Sequence, residues 1–403
     1  MKSSVAAVLG GASTALAAVR GFNYAAQGQS QQMFESSFKT AASLQGASDF
    51  TSARLYTMIQ EGTTNSPIDA IPAAIDTKTT LLLGLWASEA QSAFDNEIAA
   101  LKSAISQYGS DLAGLTVGIS VGSEDLYRIS ATGLANDPNG IGQTPDTLVD
   151  YIGQVRTAIQ GTALSGVPVG HVDTWNAFVN GSNSAVISAC DFLGLDEYPY
   201  YQTTDSNGIE NGGSLFFEAY DKVAAVAGGA QIWVTEAGWP VSGPVSNQAV
   251  ASVDNAEEFW QDVACELEDR NINFWWYILE DTGDASGASF GVSKNGVPLY
   301  NLACNGTTTT TNSTTSNSSN STTSTDFHNS TSSATKTAST TGTSAATAAA
   351  THAGSGSSSS GSSASGSSSG SSPSVSTYGS GAGKVEGTVA GLVLAAVVAA
   401  LAL

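Results

Sequence analysis

Carboxylate side chains follow the ends of several short apolar runs in this chain of 403 residues. Glu124 lies just after one run, Glu236 closes another, and Glu280 follows a third. Aromatic residues accompany these acids, namely Trp239, Trp275, Trp276, Tyr198 and Tyr200. Cleavage of a glycosidic bond needs one protonated carboxyl as proton donor and one ionised carboxylate as nucleophile or base, and aromatic side chains pack against the flat faces of sugar rings. The acids and the aromatic residues together therefore indicate carbohydrate chemistry.

Each acid also has a structural interpretation. A glutamate after a strand can be a helix N-cap or a salt-bridge partner, and for Glu280 this interpretation and a substrate-binding one stay equally open. Glu124 and Glu236 together favour catalysis, because two nearby carboxyls resist joint ionisation and one of them can then serve as the acid. We expect His171 to be a structural histidine rather than a catalyst.

The composition excludes several classes of function. The chain carries 13 basic and 35 acidic side chains, a formal net charge of −22, which disfavours binding to nucleic acid or anionic lipid. Two of its three histidines, His328 and His352, lie in a low-complexity tail, which leaves no histidine cluster for a zinc site. The sequence contains neither a phosphate-binding P-loop nor a dinucleotide fingerprint, so we expect no cofactor.

Eight short apolar or β-rich runs recur between residues 19 and 304. They are continuously apolar rather than alternating, which is typical of parallel strands covered on both faces. The eight runs are Val19–Tyr24, Phe50–Ile59, Thr80–Trp86, Leu115–Val121, Val167–Asp173, Asp191–Asp196, Gln231–Glu236 and Asn273–Leu279. Inside the seventh, Trp233 is expected to pack in the core.

Helical patterns fill the gaps between the runs. Asp95–Tyr108 and Asn255–Glu268 are two predicted helices, and a third begins at Pro145 with Thr144 as its N-cap. The short gap between the fifth and sixth strands requires a short helix there. Eight strand and helix units of this size predict a (β/α)8 TIM barrel, in which catalytic groups lie at the carboxyl ends of the strands. A doubly wound open sheet is the alternative, but it would normally carry a nucleotide-binding loop after its first strand.

The two ends of the chain have the composition of targeting segments. Residues 1–18 read as a secretory signal peptide, with a short buried helix as the alternative. Residues 381–403 end in an apolar tail and read as the propeptide of a glycosylphosphatidylinositol (GPI) anchor, with a tail-anchored membrane span as the alternative. The anchored residue lies in the range Gly379–Gly383, and Ser380 is our choice.

Residues 305–380 consist almost entirely of Ser, Thr, Gly, Ala and Asn, and we expect them to form a disordered, glycosylated stalk. N-glycosylation sequons are present at Asn180, Asn305, Asn312, Asn317, Asn320 and Asn329. Three cysteines allow three single pairings; we favour Cys265–Cys304 and expect Cys190 to be a buried free thiol.

Five motifs resemble glycoside hydrolase family 17, the β-1,3-glucanases, and within it the fungal GPI-anchored cell-wall endoglucanases. The resemblance covers residues 19–304 in order, and the seventh-strand motif is the most specific. The motifs are Gly21-Phe22-Asn23-Tyr24, Ala53-Arg54-Leu55-Tyr56, Val121-Gly122-Ser123-Glu124, Glu197-Tyr198-Pro199-Tyr200 and Thr235-Glu236-Ala237-Gly238-Trp239-Pro240.

The resemblance implies a retaining mechanism with Glu124 as acid/base and Glu236 as nucleophile, whose carboxyl groups would be ~5–5.5 Å apart. Ser123 replaces the asparagine that bonds the sugar 2-hydroxyl in related barrels, so that contact is expected to be weaker or mediated by water. The candidate substrate-binding residues are Tyr24, Arg54, Ser123, Tyr198, Trp239, Trp276 and Glu280.

These observations predict a secreted, monomeric endo-β-1,3-glucanase that is GPI-anchored at the outer face of the cell membrane and acts on wall glucan. One alternative is a transglycosylase with the same site, because a sugar hydroxyl can intercept the covalent intermediate. The other is a non-enzymatic wall adhesin or mannoprotein, which would not need both Glu124 and Glu236.

Overall fold

The computed structural model describes residues 17–281 and 287–304. Almost all of the predicted signal peptide lies outside the described residues, as do the Ser/Thr-rich segment with its five sequons, Ser380 and the predicted anchor propeptide. Across the described ranges, no helix is long and apolar enough to cross a bilayer.

The described residues form a closed barrel of eight parallel strands, which confirms the predicted (β/α)8 fold. Each strand pairs with its neighbours along the chain, and the barrel closes where Gly21 of the first strand pairs with Trp275 of the last. The strands are β1 (Arg20–Tyr24), β2 (Ser52–Leu55), β3 (Thr80–Leu85), β4 (Thr116–Ser123), β5 (Val169–Thr174), β6 (Phe192–Glu197), β7 (Gln231–Ala237) and β8 (Phe274–Trp276).

Helices alternate with the strands and cover the outside of the barrel. They are α1 (Gln31–Ser43), α2 (Ala70–Thr77), α3 (Gln91–Ala113), α4 (Asp125–Arg128), α5 (Ala131–Asn136), α6 (Pro145–Ile159), α7 (Trp175–Val179), α8 (Ser184–Ala189), α9 (Ile209–Val226), α10 (Val253–Phe259) and α11 (Cys265–Asp269). Short 3-10 helices span Gly181–Asn183 and Pro199–Tyr201, and a small two-stranded sheet pairs β9 (Ser293–Lys294) with β10 (Val297–Pro298).

The sequence rules for helices hold best at α6. Pro145 occupies its first turn, where a missing N–H costs nothing, and the Thr144 side chain accepts a hydrogen bond from the backbone N–H of Thr147. Its buried stripe includes Leu148, Ile152, Val155 and Ile159, the residues expected from the spacing. The gap after β5 holds the short helices α7 and α8 with the 3-10 helix Gly181–Asn183 between them, as its length requires.

Two segments differ from their predicted form. The second predicted strand ends at Leu55 rather than Ile59, because the chain turns away to build part of the barrel's upper rim. The predicted helix over residues 255–268 is interrupted by a π-helical segment, Trp260–Ala264, which separates α10 from α11. There the indole N–H of Trp260 donates to the carbonyl of Leu302 and fixes the last part of the domain to the barrel.

A disulfide joins Cys265 of α11 to Cys304, with 5.3 Å between their Cα atoms, and this is the pairing favoured from the sequence. Cys190 is free and half-buried, and burial raises the pKa of its thiol to about 12. The sequon residue Asn180 is exposed at the start of a 3-10 helix.

The lower interior of the barrel is filled by large side chains from several strands. Leu82, Phe192, Trp233 and Trp275 form one buried cluster there. Phe192 stacks on Trp233 at a ring separation of 3.9 Å, so Trp233 is a core residue, as expected. The indole N–H of Trp275 donates to the Ser52 hydroxyl, which satisfies its buried polar group.

Glycines in the strands allow neighbouring backbones and rings to approach closely. A Cβ atom at Gly84 of β3 would lie 2.0 Å from the carbonyl oxygen of Leu55 in β2. A Cβ atom at Gly118 of β4 would lie 2.7 Å from the indole of Trp233. The barrel wall at Gly84 therefore has no room for a methyl group, because the atom in the way belongs to the backbone.

We predict that Gly84→Ala destabilises the domain by about 1–3 kcal/mol, the usual cost of overpacking a rigid core. Gly153→Ala is the matched control, because residue 153 is exposed in the middle of α6 and a Cβ there would touch nothing. That variant should gain about 0.5–1 kcal/mol, since alanine loses less backbone entropy in a helix than glycine. Calorimetric melting of the two variants measures both effects. Equal melting temperatures would contradict the prediction.

Candidate active site

Glu124 and Glu236 lie at the carboxyl-terminal rim of the barrel. Glu236 belongs to β7, where its register partner in β6 is Asp196. Glu124 follows Ser123, the last residue of β4, and precedes α4. The side chain of Glu124 is 1% exposed, and that of Glu236 is completely buried. The charge of Glu236 contributes to raising the pKa of Glu124, so the two groups share one buried electrostatic environment.

Three donors surround the Glu236 carboxylate. Its Oε1 accepts hydrogen bonds from Arg54 Nη1 at 2.5 Å and from the Tyr56 hydroxyl at 2.7 Å. Its Oε2 accepts from the Tyr198 hydroxyl at 2.7 Å. Hydrogen bonds from a guanidinium and two hydroxyls stabilise the ionised form of a carboxylate, and both oxygens are directed by them. Glu236 is therefore held as a fixed anion.

Arg54 connects this anion to the neighbouring strands. Its side chain is completely buried in β2, and its guanidinium stacks over the Tyr56 ring at 4.4 Å. Arg54 Nη1 also donates to Asn23 Oδ1 at 2.9 Å, and Nη2 donates to Ser123 Oγ at 3.0 Å. One guanidinium thus ties β1, β2, β4 and β7 together directly beneath the two glutamates.

Glu124 has a contrasting environment. Burial raises the pKa of its carboxyl well above the ordinary value, and the charges of Asp196, Glu236 and Asp173 raise it further. Arg128, whose Nη2 lies 3.6 Å from Glu124 Oε2, opposes this shift. Oε2 is buried and has no hydrogen-bond partner among the described residues. A carboxyl in this position favours the protonated form, the state that a general acid requires.

Asp196 is a third buried carboxyl of the cluster. Its Oδ1 accepts a hydrogen bond from the Thr235 hydroxyl at 2.6 Å, whereas its Oδ2 has no hydrogen-bond partner in the part of the chain that the structure describes. Burial raises the pKa of Asp196, and the charge of Glu236 adds to the shift. Arg54 acts in the opposite direction. Asp196 therefore adds to the negative potential that favours a protonated Glu124.

A cleft with a volume of about 600 Å³ opens at this rim, over the ends of β1 to β4 and the segment after β8. Tyr56, Ser123 and Arg128 line it and are the residues that connect the cleft to the two glutamates. Glu124 and Glu236 are not among the residues that line the cleft, and both side chains are buried. Trp86 also lines the cleft, and its ring lies 4.8 Å from the Arg128 guanidinium.

The structure brings three of the predicted substrate-binding residues to this cleft, namely Tyr24, Ser123 and Glu280. The hydroxyl of Tyr24 is buried and has no hydrogen-bond partner within residues 17–281 and 287–304, and burial raises its pKa. Glu280 Oε1 accepts from the Ser293 hydroxyl at 3.1 Å and from the Gly296 N–H at 2.7 Å. Glu280 thus has the hydrogen-bond partners of a structural residue, and it also lies in the cleft, where a substrate-binding residue is required.

Two of the predicted substrate-binding residues contact Glu236 instead of the cleft. Arg54 and Tyr198 are buried and donate to its two carboxylate oxygens. Their predicted role is corrected accordingly: they orient the carboxylate, because their polar ends are already occupied by it. The motifs that contain them identified the correct rim of the barrel but not the direction of the side chains.

Trp239 and Trp276 are core residues, which corrects the expectation that they contact sugar. Each is only 1% exposed, and the ring of each packs among other aromatic side chains. The ring of Trp276 packs against Phe259 and Trp260 outside the barrel. The indole N–H of Trp239 donates to the carbonyl of Val250.

The sequence reasoning missed Tyr56, Asn23, Trp86 and Arg128 as site residues. Tyr56 could have been found from strand periodicity, because side chains two residues apart point to the same face and Arg54 points into the barrel. Arg128 lies four residues after Glu124, the spacing of neighbours on a helix. For Asn23 and Trp86, no local signal in the sequence separates a site residue from a core residue.

Within the residues that the structure describes, no group of three or more His, Cys, Asp or Glu side chains could hold a metal ion.

Comparison with curated proteins identifies fungal relatives. The chain is 54% identical over 306 residues to the probable glucan endo-1,3-beta-glucosidase eglC of Aspergillus fumigatus, covering 74% of this chain and 67% of the relative. It is 56% identical over 304 residues to the protein of the same name from Aspergillus oryzae, covering 73% of this chain and 65% of the relative. The chain thus spans about two thirds of the length of these relatives.

Among solved structures, the chain is similar to a glycoside hydrolase family 17 beta-1,3-glucanosyltransferase from Rhizomucor miehei. The TM-score is 0.58 at 25% identity, with 71% of this chain and 98% of the other covered. The family model described as the BtgE/BtgC glycoside hydrolase domain matches residues 21–295, nearly the whole barrel. The motifs, the barrel and these matches agree, and the chain belongs to the BtgE/BtgC glycoside hydrolase family, among the family 17 glucanases.

Proposed function

We propose that this protein is a retaining endo-β-1,3-glucanase that uses Glu236 as nucleophile and Glu124 as acid/base. The observation that carries the proposal is the contrast between two neighbouring buried glutamates. Three donors stabilise Glu236 as an anion. Burial and neighbouring anions favour a protonated Glu124. Glycoside hydrolysis with retention requires this division between an ionised and a protonated carboxyl.

The reaction proceeds in two steps. In the first, a Glu236 oxygen attacks the anomeric carbon while Glu124 donates its proton to the leaving glycosidic oxygen, which gives a covalent glycosyl-enzyme. In the second, the Glu124 carboxylate removes a proton from water, which attacks the same carbon and releases Glu236. Two inversions at the anomeric carbon retain its configuration, and the carboxyl groups should lie ~5–5.5 Å apart.

The charges of the cleft support an uncharged substrate. Glu89, Glu280 and Asp281 line it, and Arg128 is the only Lys, Arg or His side chain among the described lining residues. An anionic polysaccharide would be repelled by this surface, whereas a neutral glucan would not. The names of the curated relatives point to β-1,3-glucan, which we propose as the substrate.

We further propose that the protein is secreted as a monomer and attached by a GPI anchor to the outer face of the membrane, with the barrel extending into the wall. The proposal rests on the composition of residues 1–18 and 381–403 and on the Ser/Thr-rich stalk between barrel and anchor. The exposure of Asn180 is compatible with glycosylation at that position. Release of the protein from cells by a phosphatidylinositol-specific phospholipase would test the anchor.

Transglycosylation is the second candidate, because the similar Rhizomucor protein is named a glucanosyltransferase. Both reactions share the covalent intermediate and differ only in the acceptor, water or a sugar hydroxyl. Incubation with a single laminarioligosaccharide separates them. Products that are all shorter than the supplied substrate support hydrolysis, and products that are longer would support transfer.

Glu236→Gln should lower kcat by roughly 10³-fold or more, because an amide cannot form the glycosyl-enzyme. Oligosaccharide binding should persist, since the cleft walls are unchanged. Glu266→Gln is the matched control, because Glu266 also pairs with an arginine, Arg270, but on the surface. Steady-state kinetics on laminarin and calorimetric binding measure both properties. Near-normal turnover of Glu236→Gln would refute the role of Glu236.

The pH profile tests the state of Glu124. Arg128→Met removes the cation that favours ionised Glu124 and leaves the anions Asp196, Glu236 and Asp173 in place. The pKa of Glu124 should rise further, so the acid stays protonated to higher pH and the basic limb of kcat/KM moves upward. Arg156→Met, which breaks a pair with Asp191 away from the rim, should leave the limb unchanged. A downward shift for Arg128→Met would contradict the assignment.

A further inference from the structure

The turn that carries Glu124 has an unfavourable backbone. Glu124 itself adopts the left-handed conformation with φ of 58°, and Gly122 two residues earlier has φ of 80°. A left-handed glutamate costs free energy and persists only where the surroundings enforce it. Glu124 also lies beyond the last residue of β4, outside the ladder of the sheet. The acid therefore needs support from another element.

The end of β5 supplies this support at several points. The carbonyl of Val172 accepts a hydrogen bond from the backbone N–H of Glu124 at 2.9 Å. The carboxylate of the next residue, Asp173, accepts from the backbone N–H groups of Leu126 at 2.9 Å and Tyr127 at 3.3 Å. These contacts hold the first turn of α4, directly after Glu124. Asp173 is completely buried, so the bonds are shielded from water.

His171 holds the other side of the turn. Its Nδ1 lies 2.7 Å from the carbonyl oxygen of Val121, and its Nε2 lies 3.0 Å from Asp173 Oδ2. A carbonyl can only accept, so Nδ1 must carry a proton. His171 is also completely buried. The His171–Asp173 pair therefore spans from the residue three before Glu124 to the residues just after it.

The hydrogen bonds also fix the charges of the pair. Asp173 Oδ2 accepts from Leu126, and Oδ1 accepts from Tyr127 and from the Thr174 N–H at 2.9 Å, so the carboxyl acts as an acceptor throughout. An imidazolium at His171 completes this pattern, because its Nε2 then donates to the carboxylate. Burial alone lowers the pKa of His171, but Asp173 and Asp125 raise it overall. The pair is a buried imidazolium–carboxylate.

We propose that His171 and Asp173 are positioning residues that hold the Glu124 turn in its left-handed conformation and thereby place the acid against the leaving oxygen. This inference rests on the proposed function, because it assigns Glu124 the role of general acid. Neither residue touches the reacting atoms. They act through the backbone on both sides of Glu124.

Asp173→Asn is the direct test. The amide keeps one acceptor oxygen for Tyr127 and Thr174, but its NH2 group faces the N–H of Leu126, so that bond is lost. Two substrates separate acid catalysis from general damage. Cleavage of laminarioligosaccharide needs a proton on the leaving sugar, whereas a dinitrophenyl β-laminaribioside releases its phenolate without one. The readout is kcat/KM for each substrate, which reports the step that forms the glycosyl-enzyme.

Asp173→Asn should lower kcat/KM on the oligosaccharide roughly 10- to 100-fold, the loss typical of a misplaced general acid, and change the aryl substrate less than about threefold. Asp191→Asn is the matched control. Asp191 also accepts a backbone N–H of β5, that of Val169, but at the opposite end of the strand. The control should leave the ratio of the two values at the wild-type level.

His171→Gln provides a second variant if Asp173→Asn does not fold. This variant keeps the hydrogen bonds of Asp173 to Leu126 and Tyr127, but glutamine cannot contact Val121 and Asp173 at the same time. It should therefore lower kcat/KM on the oligosaccharide selectively, but by less than Asp173→Asn does. A folded variant whose kcat/KM falls equally on both substrates, or falls on neither, would overturn the positioning role. A wild-type chain that cleaves neither substrate would instead refute the proposed function and the positioning role with it.

Discussion

The ion pair between Arg54 and Glu236 is the interaction on which the rim of this barrel depends. Both side chains are completely buried, so each charge would be very costly without the other. The guanidinium also donates hydrogen bonds to Asn23 and Ser123. Two tyrosine hydroxyls donate the remaining hydrogen bonds to the Glu236 carboxylate. Replacing the pair by apolar groups would save desolvation energy, but it would remove the carboxylate that we propose as the nucleophile.

The raised pKa of Glu124 is a property of the whole buried cluster rather than of one residue. Carboxyl groups outnumber cations in it. The carboxyls are those of Glu124, Asp125, Asp173, Asp196 and Glu236, and the cations are Arg54, Arg128 and His171. Arg54 pairs with Glu236 and His171 with Asp173, so these two cations and Arg128 only partly offset the charges of Glu124, Asp125 and Asp196. The pKa values of these three carboxyls are raised for this reason as well as by burial.

The fold could be predicted from the sequence to a large extent, because a parallel strand covered on both faces leaves a continuous apolar run. The directions of the aromatic side chains at the rim could not be predicted from the sequence. Trp275 and Trp276 are neighbours in β8 and point to opposite faces, one toward Ser52 inside the barrel and the other toward Trp260 outside. An aromatic residue near the end of a strand therefore predicts a sugar-binding surface only when it is known to which face of the strand its side chain points.

The two glutamates are held in different ways, which explains why only one of them needed a dedicated support. Glu236 lies inside β7, so the hydrogen bonds of the sheet fix its backbone, and side chains only have to direct its carboxylate. Glu124 lies past the end of β4 on a turn with left-handed backbone angles. Its position depends on side chains of the adjacent strand, His171 and Asp173. Two residues that appear only structural when taken singly thus become part of the device that positions the acid.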